Sequence, residues 1–234
     1  MPVALNTVED LDHHEWARAL CRAFFRAFAI ELRVTVADDV AVPVGPEVRR
    51  IFVVRQVSPA TLPLVRAVRR GRLSMLVAAR VRRWPLLGWL SEALQSIHVR
   101  PGSDADWLIE QVRARLNQGC DVVLPIARSG LAIPPGGLVP REPAAIVEGC
   151  HAPWVPVAVS GLASLWPPHE LAPAIGTVHV LVGATQPPLA TCIDDGNTSL
   201  RARIEAAMEA ADLQLAGIIA EEMAPKTPKE PFFV

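Results

Sequence analysis

The stretch VVRQVSPATL, residues 53–62, joins the end of an apolar run to a Ser-Pro step. The residues before the step, RRIFVV at 49–54, are rich in β-branched and aromatic side chains, as in a buried strand. Proline is favoured in the first turn of a helix, and apolar residues recur at helical spacing in the following TLPLVRAV. The stretch therefore predicts a strand, a short polar loop and a helix.

The same alternation continues on both sides of this unit. The other predicted strands lie in residues 31–43, 73–80, 95–103, 120–127, 154–161 and 177–183. The predicted helices are 7–30, 58–71, 84–94, 104–119, 141–150 and 198–223. Strands alternating with helices predict an α/β fold, with a mostly parallel sheet covered by helices. We expect an amphipathic N-terminal helix in residues 1–32, one α/β domain in 33–222 and a loose tail in 223–234.

Composition excludes several classes of protein. The chain has 234 residues, of which 51% are hydrophobic, so it can bury a substantial core. A formal net charge of −1 and the lack of a nucleic-acid-binding motif argue against a nucleic acid partner. Two long uncharged stretches are interrupted by several Pro and Gly residues, which favours buried strands over membrane spans.

Cysteine and histidine spacing indicates no metal site. The four cysteines form no CxxC pair, so we expect reduced, mostly buried thiols in a cytoplasmic protein. His13 and His14 are adjacent on the first predicted helix, which is poor geometry for a shared metal ion, and we expect them on its solvated surface.

Further blocks follow residues 53–62 in a fixed order. They are RWPLLGWL at 83–90, QSIHVRP at 95–101, QGCDVVLPIARSG at 118–130, GGLVPREPAA at 136–145 and APWVPVAVSG at 152–161. In order and separation, these blocks resemble the glycerolipid acyltransferase superfamily, which includes the bacterial lysophosphatidic acid (1-acylglycerol-3-phosphate) acyltransferases. The resemblance implies a glycerol-phosphate-acyltransferase-like fold and a lipid or lysophospholipid as partner. It implies acyl-CoA or acyl carrier protein as the acyl donor, with no other cofactor.

The resemblance is degenerate at the catalytic motif. The family's Asn-His-x-Ser-x-x-Asp aligns with Arg55, Gln56, Ser58 and Thr61, so the catalytic His and Asp positions hold Gln56 and Thr61. In the family, the imidazole takes the proton of an attacking lipid hydroxyl and the carboxylate orients the ring. An amide has no basic site near pH 7, and a threonine carries no charge.

The motifs for binding the acceptor are also altered. Ile126 and Ala127 replace a Glu-Gly pair, and Pro101 stands where the family has an arginine. Ser58, Arg128 and Ser129 keep the family's residues, and Arg100 lies one place before the family's arginine; the resemblance implies that these four residues bind substrate.

Three functions follow as hypotheses. The first is a catalytically degenerate protein with a lipid- or acyl-chain-associated accessory role, partnering an active acyltransferase or an acyl carrier protein. The second is an active acyltransferase with a substitute base, for which His98 is the candidate. The third is a soluble α/β binding module that shares only the fold.

A basic segment suggests a membrane surface as partner. Residues 49–91 contain ten Arg and no Asp or Glu. Trp84 and Trp89 follow Arg82 and Arg83, a combination typical of segments that rest on anionic headgroups. We expect a protein peripheral to the inner face of the membrane. The alternative is an arginine-rich solvated surface balanced by acids elsewhere.

Overall fold

The computed structural model describes residues 7–36, 49–55, 60–69, 71–83, 85–100, 102–126, 143–166, 173–188 and 200–224. The strands are β1 Ile30–Val36, β2 Ile51–Arg55, β3 Leu73–Ala78, β4 Ile97–Val99, β5 Asp121–Ile126, β6 Trp154–Ser160 and β7 Gly176–Val182. The helices are α1 Thr7–Ala27, α2 Thr61–Val68, α3 Pro85–Ala93, α4 Ala105–Asn117, α5 Pro143–Cys150, α6 Leu162–Leu165 and α7 Leu200–Met223, with a 3₁₀ helix at Ala79–Arg83.

The strands form one seven-stranded sheet in the order β1-β7-β6-β2-β5-β3-β4. All neighbouring strands run parallel except β6 and β7, which are antiparallel. The predicted α/β class with a mostly parallel sheet is thereby confirmed. Strand β2 lies at the centre, and β1 and β4 form the edges.

Helices cover both faces of the sheet, as the alternation of side chains along β2 requires. Phe52 and Val54 pack on the face that carries α1, α2 and α3, which we call the α1 face. Ile51 and Val53 pack on the opposite face, the α7 face, with α4, α5 and α7. Consecutive residues of β2 therefore serve two separate cores.

The expected position of His14 is wrong. The side chain is buried because α1 packs against α2 along this part of the helix, and the Arg66 guanidinium donates a hydrogen bond to the His14 carbonyl. The four-residue α6, which begins after Gly161, was not predicted. Its brevity leaves no helical periodicity to detect.

The described thiols are protonated at neutral pH. Cys21 and Cys120 are buried and Cys150 is partly buried, while Cys192 lies outside the described residues. Burial raises the pKa of Cys21 to about 12 and that of Cys150 to about 11.

No described helix is long and apolar enough to cross a bilayer.

Asp121 ties β5 to β2 and α2. Its buried carboxylate accepts hydrogen bonds from the Arg50 backbone N–H at 3.1 Å and from Arg69 Nη2 at 2.6 Å. We predict that Asp121→Ala lowers the free energy of unfolding by about 3 kcal/mol, because a buried donor and a cation both lose their acceptor. Urea denaturation measures the loss. Glu110→Ala, the same charge change at an exposed site on α4, should cost less than about 0.5 kcal/mol, and equal losses would contradict the role of Asp121.

Candidate functional site

The carboxyl end of β2 leads into the altered motif. Arg55, at the family's Asn position, is the last residue of β2 and forms an ion pair with Asp212 of α7. It is mostly buried, and its charge is neutralised on the α7 face. Gln56 and Ser58 lie outside the described residues. Arg55 therefore helps to hold α7 against the sheet.

Thr61, at the family's Asp position, is the first residue of α2 and only 1% exposed. The start of a helix favours a negative charge, because its backbone N–H groups point outwards without intrahelical partners. A carboxylate would suit this place electrostatically. The threonine hydroxyl fills it with a neutral group.

The positions that the resemblance implies bind the acceptor do not lie together. Ile126 is the last residue of β5 and pairs in register with Arg55 of β2. The position where the family has a glutamate therefore holds a buried apolar side chain. Arg100 is exposed just after β4. Arg128 and Ser129 lie outside the described residues. The structure thus brings Arg55 and Ile126 together, and it places Arg100 at the far edge of the sheet.

His98 lies on the edge strand β4, with its Nε2 3.0 Å from the Ser91 hydroxyl. The Ser91 hydroxyl also contacts the Gly88 carbonyl oxygen at 2.8 Å, and its oxygen can accept a hydrogen bond from His98 Nε2–H. Ser91 is fully buried. The contact joins α3 to β4 and occupies Nε2 of His98.

Two strands, β5 and β3, separate His98 from β2. Neighbouring strands are about 4.8 Å apart, which puts β4 roughly 14 Å from β2. Burial, and to a smaller extent the charge of Arg82, lowers the pKa of His98. The histidine is therefore neutral at pH 7 and distant from Arg55. Its role as a substitute base stays a prediction.

The ten arginines of residues 49–91 do not share one face. Arg50 and Arg66 are buried, and Arg69 is paired with Asp121. An exposed group remains on the 3₁₀ helix, namely Arg80, Arg82 and Arg83, of which Arg82 pairs with Glu92. The basic surface is smaller than the sequence indicated.

An exposed tryptophan pair lies near these arginines, and sequence reasoning missed half of it. The rings of Trp16 on α1 and Trp89 on α3 meet edge to face, with centroids 5.2 Å apart, and they are 57% and 41% exposed. A Cβ at Gly88 would lie 2.6 Å from the Arg82 carbonyl oxygen, so glycine allows α3 to pack closely on the 3₁₀ helix. Trp84 lies outside the described residues.

No cluster of metal-ligating side chains occurs in the described part of the chain.

Comparison with known proteins agrees with this architecture, although no family model matches the chain. The chain is 32% identical over 110 residues to the lyso-ornithine lipid O-acyltransferase of Pseudomonas aeruginosa. The crystal structure of the 1-acyl-sn-glycerophosphate acyltransferase of Thermotoga maritima superposes with a TM-score of 0.67 at 14% identity, covering 92% of this chain and 81% of that one. The chain is therefore similar to a lipid O-acyltransferase over about half of its sequence and has the fold of a glycerolipid acyltransferase.

The two comparisons differ in what they cover. The match to the Pseudomonas protein spans 47% of this chain and 38% of that relative. The structural match covers most of the chain and shows the glycerolipid acyltransferase fold. The predicted relationship is confirmed, while the consequences of Gln56 and Thr61 for catalysis stay a prediction.

Proposed function

We propose that the chain is a catalytically degenerate protein of the glycerolipid acyltransferase fold, with a lipid- or acyl-chain-associated accessory role. The observation that carries the proposal is the replacement of the motif's base and acid by Gln56 and Thr61. A lipid hydroxyl is a weak nucleophile and needs a base to accept its proton during attack on a thioester. Neither side chain can take that proton near neutral pH.

The surroundings of β2 support the same conclusion. The Arg55 charge is directed to Asp212 on the α7 face, and Ile126 lies beside it in the neighbouring strand. His98, the histidine on β4, is about three strand spacings away. Base, acid and acceptor site are therefore altered together, which favours loss of the reaction over a single compensated change.

A second candidate is an active O-acyltransferase that transfers an acyl group from acyl-CoA or acyl carrier protein to a lysolipid hydroxyl. The identity of 32% to a lyso-ornithine lipid O-acyltransferase favours it. An acyl-transfer assay on the purified protein separates the two, with lysophosphatidic acid and lyso-ornithine lipid as acceptors. Product no greater than in a protein-free blank supports the degenerate protein, and turnover supports the enzyme.

Association with an anionic membrane surface is part of the same proposal. Arg80 and Arg83 are exposed and have no ion-pair partner among the described residues, and the Trp16–Trp89 pair is on the surface of the same α1 face. Tryptophan rings settle at the level of lipid headgroups, and arginines are attracted to anionic ones. An active acyltransferase or an acyl carrier protein is the protein partner that this accessory role requires.

We predict reversible binding to vesicles that contain phosphatidylglycerol and weak binding to pure phosphatidylcholine vesicles. Each arginine near an anionic surface contributes about 1 kcal/mol, so Arg80→Ala with Arg83→Ala should weaken binding roughly 30-fold. Co-sedimentation at low and high salt measures the effect, and salt should reduce binding.

The tryptophans provide the control for that measurement. If binding persists in high salt but is lost in Trp16→Ala or Trp89→Ala, the apolar pair dominates and the arginines are a solvated surface. Equal binding to neutral and anionic vesicles, or no binding to either, would contradict the basic-surface mechanism.

A further inference from the structure

A groove of about 490 Å³ lies between α1, β1 and the end of α2. Its basic wall is formed by Arg18, Arg22 and Arg26, which follow one another at four-residue spacing on α1. Residues four positions apart lie on the same side of a helix, with Cβ atoms about 6 Å apart. The three guanidinium groups therefore line one side of the groove.

Most of this positive charge is not compensated. Arg18 pairs with Glu15 at 2.8 Å, but its Nε is buried and has no hydrogen-bond partner among the described residues. Arg22 and Arg26 are exposed and have no ion pair within the described parts of the chain. The wall thus offers two free guanidinium groups and one buried, unsatisfied N–H.

The acid that lines the groove does not cancel this charge. Glu31 accepts hydrogen bonds from Arg33 Nε at 3.0 Å and from Arg33 Nη2 at 3.4 Å. Arg33 in turn pairs with Glu222 of α7, so these three side chains carry one net negative charge, which is less than the positive charge of the basic wall even after Glu15 is counted. The groove keeps a net positive character.

The rest of the groove is apolar. Phe25, Ile30, Leu32, Ala67 and Val68 contribute to its lining, together with Val34, which is 42% exposed on the edge strand. An exposed valine beside a buried phenylalanine gives a surface on which an alkyl chain can replace water. A basic wall over an apolar floor matches a ligand with an oxyanion head and a hydrocarbon chain.

We propose that this groove binds an anionic amphiphile, with its phosphate or carboxylate held by Arg22 and Arg26 and its chain lying towards Val34 and Val68. Bidentate guanidinium contacts suit both oxyanions. The groove contacts α2 at Ala67 and Val68, at the opposite end of that helix from Thr61, and β1 is three strand spacings, roughly 14 Å, from β2, so the site is separate from the altered motif. The inference goes beyond the proposed function, because the amphiphile would bind in the groove whether or not the protein transfers acyl groups.

Calorimetric titration of the full chain with octyl phosphate below its micelle concentration tests the proposal. Inorganic phosphate probes the head alone, and octyl glucoside probes the chain without charge. Octyl phosphate should bind at least tenfold more tightly than either one. Affinity should rise by roughly fourfold per methylene from butyl to octyl phosphate, because each buried methylene adds apolar contact.

Arg22→Ala with Arg26→Ala should weaken octyl phosphate binding at least tenfold. Arg113→Ala with Arg115→Ala removes the same charge from α4, which covers the α7 face of the sheet, and should leave the affinity within twofold. Circular dichroism checks that both double variants are folded. Equal binding by the groove variant and the natural sequence would overturn the proposal. Equal affinity for inorganic and octyl phosphate would overturn the assignment to an amphiphile, because it would reveal an anion site with no contribution from the chain.

Discussion

Acyl transfer by the purified protein is expected to be at least about 10⁴-fold slower than transfer by the lyso-ornithine lipid O-acyltransferase of Pseudomonas aeruginosa under the same conditions. Loss of a general base alone costs about two to four decades of rate. Here Thr61 also carries no charge to stabilise an imidazolium, and Ile126 is apolar where the family has a glutamate. Reduced positioning of the acceptor adds to the loss.

The assay follows a labelled acyl group from acyl-CoA or acyl carrier protein into lysophosphatidic acid or lyso-ornithine lipid. The Pseudomonas enzyme is the positive control, and a protein-free reaction gives the background. Turnover that His98→Ala abolishes would contradict the degenerate assignment and would support the substitute base. Turnover that survives His98→Ala would also contradict it and would place the base elsewhere.

Restoring the motif should not restore the reaction. Gln56→His with Thr61→Asp rebuilds the base and the carboxylate of the family motif, but Ile126 still stands where the family has a glutamate and Pro101 where it has an arginine. A base accelerates transfer only when the acceptor hydroxyl is held within attacking distance. A large gain in the double variant would show that the acceptor site is intact.

Arg66→Ala should lower the free energy of unfolding by about 3–5 kcal/mol. Arg66 is fully buried in α2, and burial lowers the pKa of its guanidinium, which shows that its charge is poorly solvated. Its Nη1 donates to the Gly71 carbonyl at 2.8 Å and its Nη2 to the His14 carbonyl, so one side chain joins α1, α2 and the turn before β3. Alanine leaves a cavity and removes both of these hydrogen bonds.

Urea denaturation of three variants separates the contributions to that loss. Arg66→Met keeps most of the volume and carries no buried charge, so it should lose less stability than Arg66→Ala. Arg80→Ala changes an exposed arginine and should stay within about 0.5 kcal/mol of the natural sequence. A loss below about 1 kcal/mol for Arg66→Ala would show that α1 and α2 are held together by their apolar contacts alone.

Much of the fold could be predicted because its signals are local. The apolar run that became β2 and the helical spacing in α1 and α4 depend only on which side chains recur every two or every 3.6 residues. The altered motif is equally local, since the identities of Gln56 and Thr61 can be compared directly with the family pattern. The antiparallel pairing of β6 and β7 could not be predicted, because strand direction is set by how the chain returns to the sheet.

The sequence by itself determined the order of strands and helices, the resemblance to the glycerolipid acyltransferases, and the presence of Gln56 and Thr61 where that family has a histidine and an aspartate. Only the tertiary structure decided that Arg55 pairs with Asp212, 157 positions away, that Arg66 and His14 are buried and that Trp16 meets Trp89. It also decided which arginines face the groove between α1 and β1. The spacing of residues along the chain fixes which side of a helix or strand each residue occupies. The residue that it contacts in another element depends on which elements pack together. The side-chain pattern of a single element does not contain that information.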